Sequence, residues 1–138
     1  MKNHDLILMQ LETLGEVFRK LIAKVLLLKE FGATDIQVAE IGDWMKTGIG
    51  LNIEEMASLT NEAFLAILLE RKLTPTDLSN LINLLVELAK VKNEQLTTNH
   101  ANQLLNKALF LGDYLNNTQK IVYMGNTAAL DEARRLLK

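Results

Sequence analysis

With 138 residues, 49% of them hydrophobic and 23% charged, the chain has the composition of one folded domain and lies away from the profile of a disordered polypeptide. Fifteen Lys plus Arg against 17 Asp plus Glu give a formal charge of -2, which excludes any overall attraction for phosphate backbones or anionic membranes. The absence of cysteine excludes disulfides, thiolate metal sites and cysteine nucleophiles, and it fits a reducing, cytoplasmic location. Leucine is in excess: 28 Leu stand against 6 Val, 7 Gly and 1 Pro, a balance that favours helices over strands.

The N-terminal segment has an apolar run interrupted by Gln10 and Glu12 and no small-residue cleavage site, so it does not read as a signal peptide. Ile7, Leu11, Leu14, Phe18, Leu21, Val25 and Leu28 then alternate spacings of four and three, which places them on one helical stripe. Leu8, Val17, Ile22 and Leu26 widen the stripe beyond a two-stranded seam, so this helix should meet more than one neighbour. Asp5 stands as its N-cap and Gly32 as its stop. On its outer face, Glu16 and Lys20 are spaced for a modest ion pair.

A second helix is expected over 34–46, with Ile36, Val38, Ile41, Trp44 and Met45 on its apolar side and Gly48 and Gly50 ending it at a joint over 47–52. Asn52 with Glu55 three positions on has the form of a capping box and opens a short turn through Met56. Thr60 caps a helix carrying Phe64, Leu65, Leu68 and Leu69. The clearest boundary is Thr74-Pro75-Thr76-Asp77, where a cap, a proline at the first helical position and a first-turn acid agree. The helix that follows should run to about Asn93, with Leu78, Leu81, Leu85 and Leu88 inward and Ile82 and Leu84 beside them.

The run 97–99 caps another helix through Leu104, Leu105, Ala108, Leu111 and Leu115, closed by Asn116 and Asn117. Lys120 to Met124 is the one cluster of β-branched and aromatic residues, and it reads as an extended connector because no partner strand is visible. A last helix, capped by Asn126 or Thr127, carries Ala129, Leu130, Ala133 and Leu137. The chain is therefore expected to be all-α, a single helical domain over 1–138. About six helices form it, consecutive ones antiparallel.

The tetratricopeptide signature can be tried at both Leu-Gly dipeptides. At Leu14-Gly15 it finds Phe18 in the ring position and Phe31 in the later aromatic position, with Leu27 where a small residue belongs; at Leu111-Gly112 it finds Leu115 in place of a ring. The order of elements nonetheless resembles a group of small bacterial helical proteins of unknown function with a tetratricopeptide-like fold. The features that carry the resemblance are the long opening helix around Ile7 to Leu28, the two capped short helices across Leu51 to Thr60, and the segment Asn106 to Leu115 with its connector and closing helix. It implies antiparallel hairpins in a right-handed array. The residue pattern by itself accommodates a compact bundle as well.

No pattern of catalytic residues stands out. Gly48-Ile49-Gly50 lacks the third glycine, the preceding strand and the Lys-Ser or Lys-Thr pair of a phosphate loop. The two histidines, His4 and His100, have no second ligand at zincin or di-iron spacing, and His100 falls in a first turn that reads as surface. Neither Ser58 nor Ser79 lies in a nucleophile elbow. The paired acids Glu54-Glu55 and Asp131-Glu132 fall in first helical turns, where negative charge complements the helix dipole, and Glu12 and Glu16 lie on a solvated face. No cofactor, metal or catalytic residue is expected.

The reading that remains is a non-catalytic interaction or adaptor protein, with a small-molecule-binding or enzymatic helical bundle as the rival. Trp44, Met45, Tyr114 and Tyr123 are the candidate contacts to a protein or peptide partner, since large half-polar and flexible side chains anchor interfaces. A homodimer through the wide stripe of the first helix is a specific form of this expectation. No membrane partner is expected; a nucleic-acid role is unexpected, since the densest basic clusters, Arg71-Lys72 and Arg134-Arg135 with Lys138, are small, and the weak candidate for one rests on Arg134, Arg135 and Lys138.

Overall fold

The structure is a computed structural model that describes residues 14–31, 34–91, 98–117 and 124–137. These form seven helices: α1 (Leu14–Phe31), α2 (Asp35–Ile49), α3 (Ile53–Ser58), α4 (Asn61–Glu70), α5 (Pro75–Ala89), α6 (Thr98–Asn117) and α7 (Met124–Leu136). Among the described residues there is no strand, and no helix is long and apolar enough to cross a membrane.

Local chemistry sets the boundaries. Three complete capping boxes open α2, α3 and α5, each joining a side-chain acceptor at the cap to a backbone N–H three residues on, and the reverse. Thr34 pairs with Gln37, Asn52 with Glu55 at 2.8 and 3.1 Å, and Thr74 with Asp77, and Pro75 occupies the first helical position of α5. Thr60 caps α4 by accepting from the Ala63 N–H. Such caps contribute about 1 kcal/mol each, which is what lets a helix as short as α3 hold its place.

Helix α2 runs further than its glycines imply. Gly48 lies inside it, facing α1, where a Cβ would stand 3.2 Å from Val17 Cγ1, so this glycine permits a close helix approach. The expected joint over 47–52 is thus largely helix and cap. Only Gly50 needs its conformational freedom: at φ 95° its N–H donates to the Met45 and Lys46 carbonyls and closes the helix. Ile36, expected on the apolar side, is 73% exposed because at 100° per residue it stands on the face of α2 opposite the buried Val38, Ile41, Met45 and Ile49. The helix expected to reach Asn93 ends at Ala89, where the Lys90 N–H turns back to the Glu87 and Leu88 carbonyls.

Helix α5 is the centre of the molecule. Its buried side chains Leu78, Leu81, Ile82, Leu84, Leu85, Val86 and Leu88 span about 200° of its circumference at 100° per residue, too wide for one neighbour. It packs against α1, α6 and α7; α2 lies along α1, and α3 and α4 cover α6. In a stacked-repeat array each hairpin meets only the next one. Here the first helix rests on the fifth, so the arrangement is a bundle built round α5. The described part of the opening stripe, Phe18, Leu21, Val25 and Leu28, is buried, and one continuous core joins all seven helices.

The C-terminal end departs from the expected order. Met124 opens α7, so the connector predicted over 120–124 loses its last residue to helix, and 120–123 lie outside the described residues. Asn126 is no cap. It sits in the first turn of α7, 3% exposed, and faces α5. Asp5, Gly32 and the cap at Thr97 also lie outside the described residues.

Candidate functional site

Helices α1 and α7 both lean on α5, and between them an open groove of about 660 Å³ is left. Ile22 and Leu26 of α1 form one wall, Ala128 and Ala129 of α7 the other, and Asn83 and Glu87 of α5 the floor. Leu26 is 42% exposed there. The rim carries both signs of charge, with Asp131, Glu132 and Arg135 along α7.

Two polar networks tie α7 to α5 beside the groove. In the first, Ser79 Oγ donates to Asn126 Oδ1 at 2.6 Å, while Asn126 Nδ2 donates to the Ser79 carbonyl at 3.0 Å and to Asn83 Oδ1 at 2.9 Å. The network pins the start of α7 to α5 and turns Asn83 toward α7. In the second, Lys90 Nζ bridges Glu87 at 3.0 Å and Glu132 at 2.5 Å, and Arg135 joins Glu132 at 3.2 Å.

Burial works against the Lys90 charge, but the hydrogen bonds to Glu132 and Glu87 outweigh it and hold its pKa above the ordinary lysine range. The stabilisation is present in full below a pH of about 10.4 and is lost as pH rises through the raised value. Glu132→Gln should therefore lower the urea midpoint at neutral pH, and the gap to wild type should close on the alkaline side. A gap that stays constant with pH would show that the bridge does not couple α5 to α7.

Of the paired acids, Glu55, Asp131 and Glu132 are engaged in structure, and Glu54 is exposed on the first turn of α3. Glu55 completes the Asn52 capping box and receives Lys46 Nζ at 2.8 Å; that hydrogen bond, then the Asn52 N–H, lowers its pKa. Asp131 pairs with Arg134, and Glu132 belongs to the Lys90 network, so the two arginines proposed for nucleic acid are both partnered by acids three residues away. Glu16 is half-buried, and Glu12 and Lys138 lie outside the described residues. Ser79 is committed to Asn126, and Ser58 Oγ approaches the Glu55 carbonyl at 3.5 Å. His100 is half-buried in the first turn of α6 and has an interaction partner, and His4 lies outside the described residues. Among the described residues no group of three His, Asp or Glu side chains is placed to hold a metal ion.

The four candidate contacts are scattered. Met45 is fully buried, a core residue of α2 with no surface to offer. Trp44 is half-buried against the core, with Lys24 Nζ 5.5 Å from its ring centroid and the same lysine 3.5 Å from Glu40, so its outer face is covered by a cation. Tyr114 packs half-buried on α6 and is already engaged. Tyr123 lies outside the described residues. None of the three described ones lines the α1–α7 groove.

Sequence reasoning passed over Lys107. It lies on α6, 6% exposed, with Nζ 5.9 Å from the centroid of the Phe64 ring. It lines a second, polar cleft of about 480 Å³ between α6 and the corner joining α3 to α4. The signal was present: Lys107 stands three residues after Leu104 and four before Leu111, on the inward stripe. Asn126 is in the same position on α7, three and seven residues before Ala129 and Ala133. A polar side chain in core register is the pattern common to both.

The described residues thus define a class: an all-helical bundle around a central helix, with an open apolar-walled groove on one side and a polar cleft on the other. Comparison with known protein families, curated proteins and solved structures found no match.

Proposed function

We propose that the protein is a non-catalytic interaction module that receives an amphipathic helix of a partner protein in the groove between α1 and α7. The observation that carries this reading is the groove itself. Its walls are apolar, small residues on α7 allow a close backbone approach, and the exposed face of Leu26 supplies an anchor. At 1.5 Å per residue α7 is about 20 Å long, room for an occupant of three to four turns. The mixed charges of the rim suit an occupant with both signs on its flanks, which argues against a strongly basic or acidic one.

Self-association through α1 would draw on the flank of its wide stripe. Phe18, Leu21, Val25 and Leu28 are spent on the core, so a second copy would have to use the Ile22–Leu26 flank. Light scattering at micromolar concentration separates the cases: a mass of 15.5 kDa independent of concentration excludes a second copy as the occupant. Affinity purification from the source cell, with Leu26→Glu and Ala128→Arg beside wild type, tests the groove. A protein retained by wild type and released by both variants is expected; equal retention by all three would reject the site. Both positions are exposed enough for the substitutions to leave the fold intact. The rival, a small-molecule-binding bundle, is favoured by one observation, the Lys107 cleft.

A further inference from the structure

We infer that the cleft between α6 and the α3–α4 corner is a binding site for a small organic monocarboxylate, with the Lys107 ammonium as its counter-ion and Asn61, Gln103 and Asn106 as its hydrogen-bond donors. The inference stands apart from the groove on the other side of the bundle and does not depend on it.

Lys107 is the first observation. An ammonium removed from water is costly unless it is paired, and lysines are almost never buried to this degree without a partner. Among the described residues Lys107 has no hydrogen bond and no ion pair; the Phe64 ring lies 5.9 Å from its charge, and the Glu62 carboxylate acts on it without reaching ion-pair distance. Burial pushes its pKa below the ordinary lysine range, against the opposing pull of Glu62. A charge held in that condition is stabilised by any anion that reaches it.

The second observation is independent of the first. Asn61, Gln103 and Asn106 line the same cleft, and among the described residues their side-chain amides make no hydrogen bond to the protein. Three amide groups, each with two N–H donors, together with one ammonium, match a carboxylate with its two oxygens and four acceptor directions.

Two further features narrow the ligand. Ala57, Leu59 and Phe110 give the cleft an apolar side that an inorganic ion would leave unused. Asp113 lines the cleft and Glu62 acts on Lys107, so two carboxylates oppose the entry of a multiply charged anion. A phosphate group is disfavoured on both counts, and a carboxylate on a compact apolar body fits both.

The test is a titration of the full chain with benzoate, followed by the side-chain amide signals of isotope-labelled protein. Saturable shifts at Asn61, Gln103 and Asn106 are expected, with a dissociation constant on the order of 1 mM for so small a ligand in an open cleft. Lys107→Met, which keeps the unbranched stem and removes the charged end, should weaken binding by about tenfold or more while leaving the circular dichroism unchanged. Should that variant not fold, Gln103→Leu at a half-exposed position gives the same reading, with an expected loss of about threefold to tenfold. The assignment is overturned if benzoate produces no saturable shift or its shifts map to the α1–α7 groove. Binding undiminished in the variant overturns it as well, and so does inorganic phosphate binding as tightly as benzoate. Loss of benzoate binding leaves the groove reading untouched, since Leu26 and Ala128 take no part in it.

Discussion

Leu81→Ala is expected to remove about 2–5 kcal/mol of unfolding free energy in a urea titration, the range of a fully buried leucine whose surroundings cannot collapse. Leu81 is fully buried in the middle of α5, the helix on which α1, α6 and α7 all rest. Its environment is fixed by several helices at once, so the surroundings have little freedom to collapse into the space left by three carbon atoms. Domains of this size are held by roughly 5–15 kcal/mol, and the variant should therefore unfold at markedly lower urea. Leu69→Ala is the control. Leu69 is also a leucine in a predicted apolar face, but it is 44% exposed on α4, and its truncation should change stability by less than about 1 kcal/mol. Equal losses at the two positions would contradict the central place of α5.

Asn126→Leu should cost about 2–4 kcal/mol although it replaces a polar residue in the core by an apolar one of similar size. The side chain it removes satisfies the Ser79 hydroxyl and Asn83 Oδ1 and adds a second hydrogen bond at the Ser79 carbonyl. With leucine there, the buried Ser79 hydroxyl is left without its acceptor, and desolvation of unpaired groups sets the cost. The penalty should be partly relieved by a second change, Ser79→Ala, which deletes the orphaned hydroxyl. A double-mutant cycle is thus expected to give a coupling of about 1–2 kcal/mol, and strict additivity would show that the two side chains do not depend on each other.

The comparison of Leu81 with Leu69 also shows how far residue pattern reaches. Periodicity finds the stripes of α1, α5 and α6 because 3.6-residue spacing and burial coincide there, and the caps at Asn52, Thr60 and Thr74 are legible because capping is chemistry local to four residues. Exposure at Ile36 follows from its register opposite Val38, Ile41 and Met45, whereas exposure at Leu69 depends on where α4 meets its neighbours, information that lies elsewhere in the chain. Gly48 reads as a breaker until Val17 is seen opposite it. The choice between a stacked array and a bundle is likewise decided by α1 meeting α5, a contact no local pattern encodes.

The candidate sites follow the same division. Hydrophobic and aromatic types point to Trp44, Met45 and Tyr114, yet such residues are as useful inside as outside, and the bundle uses Met45 wholly as core. The groove is made by the spacing of two helices far apart in sequence, so its lining, from Ile22 to Arg135, has no local signature. Lys107 and Asn126 were legible in principle, as polar residues in apolar register, but whether such a residue is paired or orphaned depends on partners from other helices: Asn126 finds Ser79, while Lys107 finds a ring and a carboxylate beyond ion-pair distance.

The position of α5 in the chain has a consequence for synthesis. Helix α1 ends at Phe31, whereas the helix it must rest on begins only at Pro75. At about 5–20 residues per second, roughly 2–9 s pass after α1 is made before the start of its binding surface exists. During that interval Phe18, Leu21, Val25 and Leu28 have only α2 of their final neighbours to pack against, and the rest of the stripe is open to chaperones or to neighbouring nascent chains. Helices α5, α6 and α7, by contrast, are made in succession and can close on one another as they emerge. Helix α1 therefore waits for its main neighbour, while α5, α6 and α7 find theirs next in the chain.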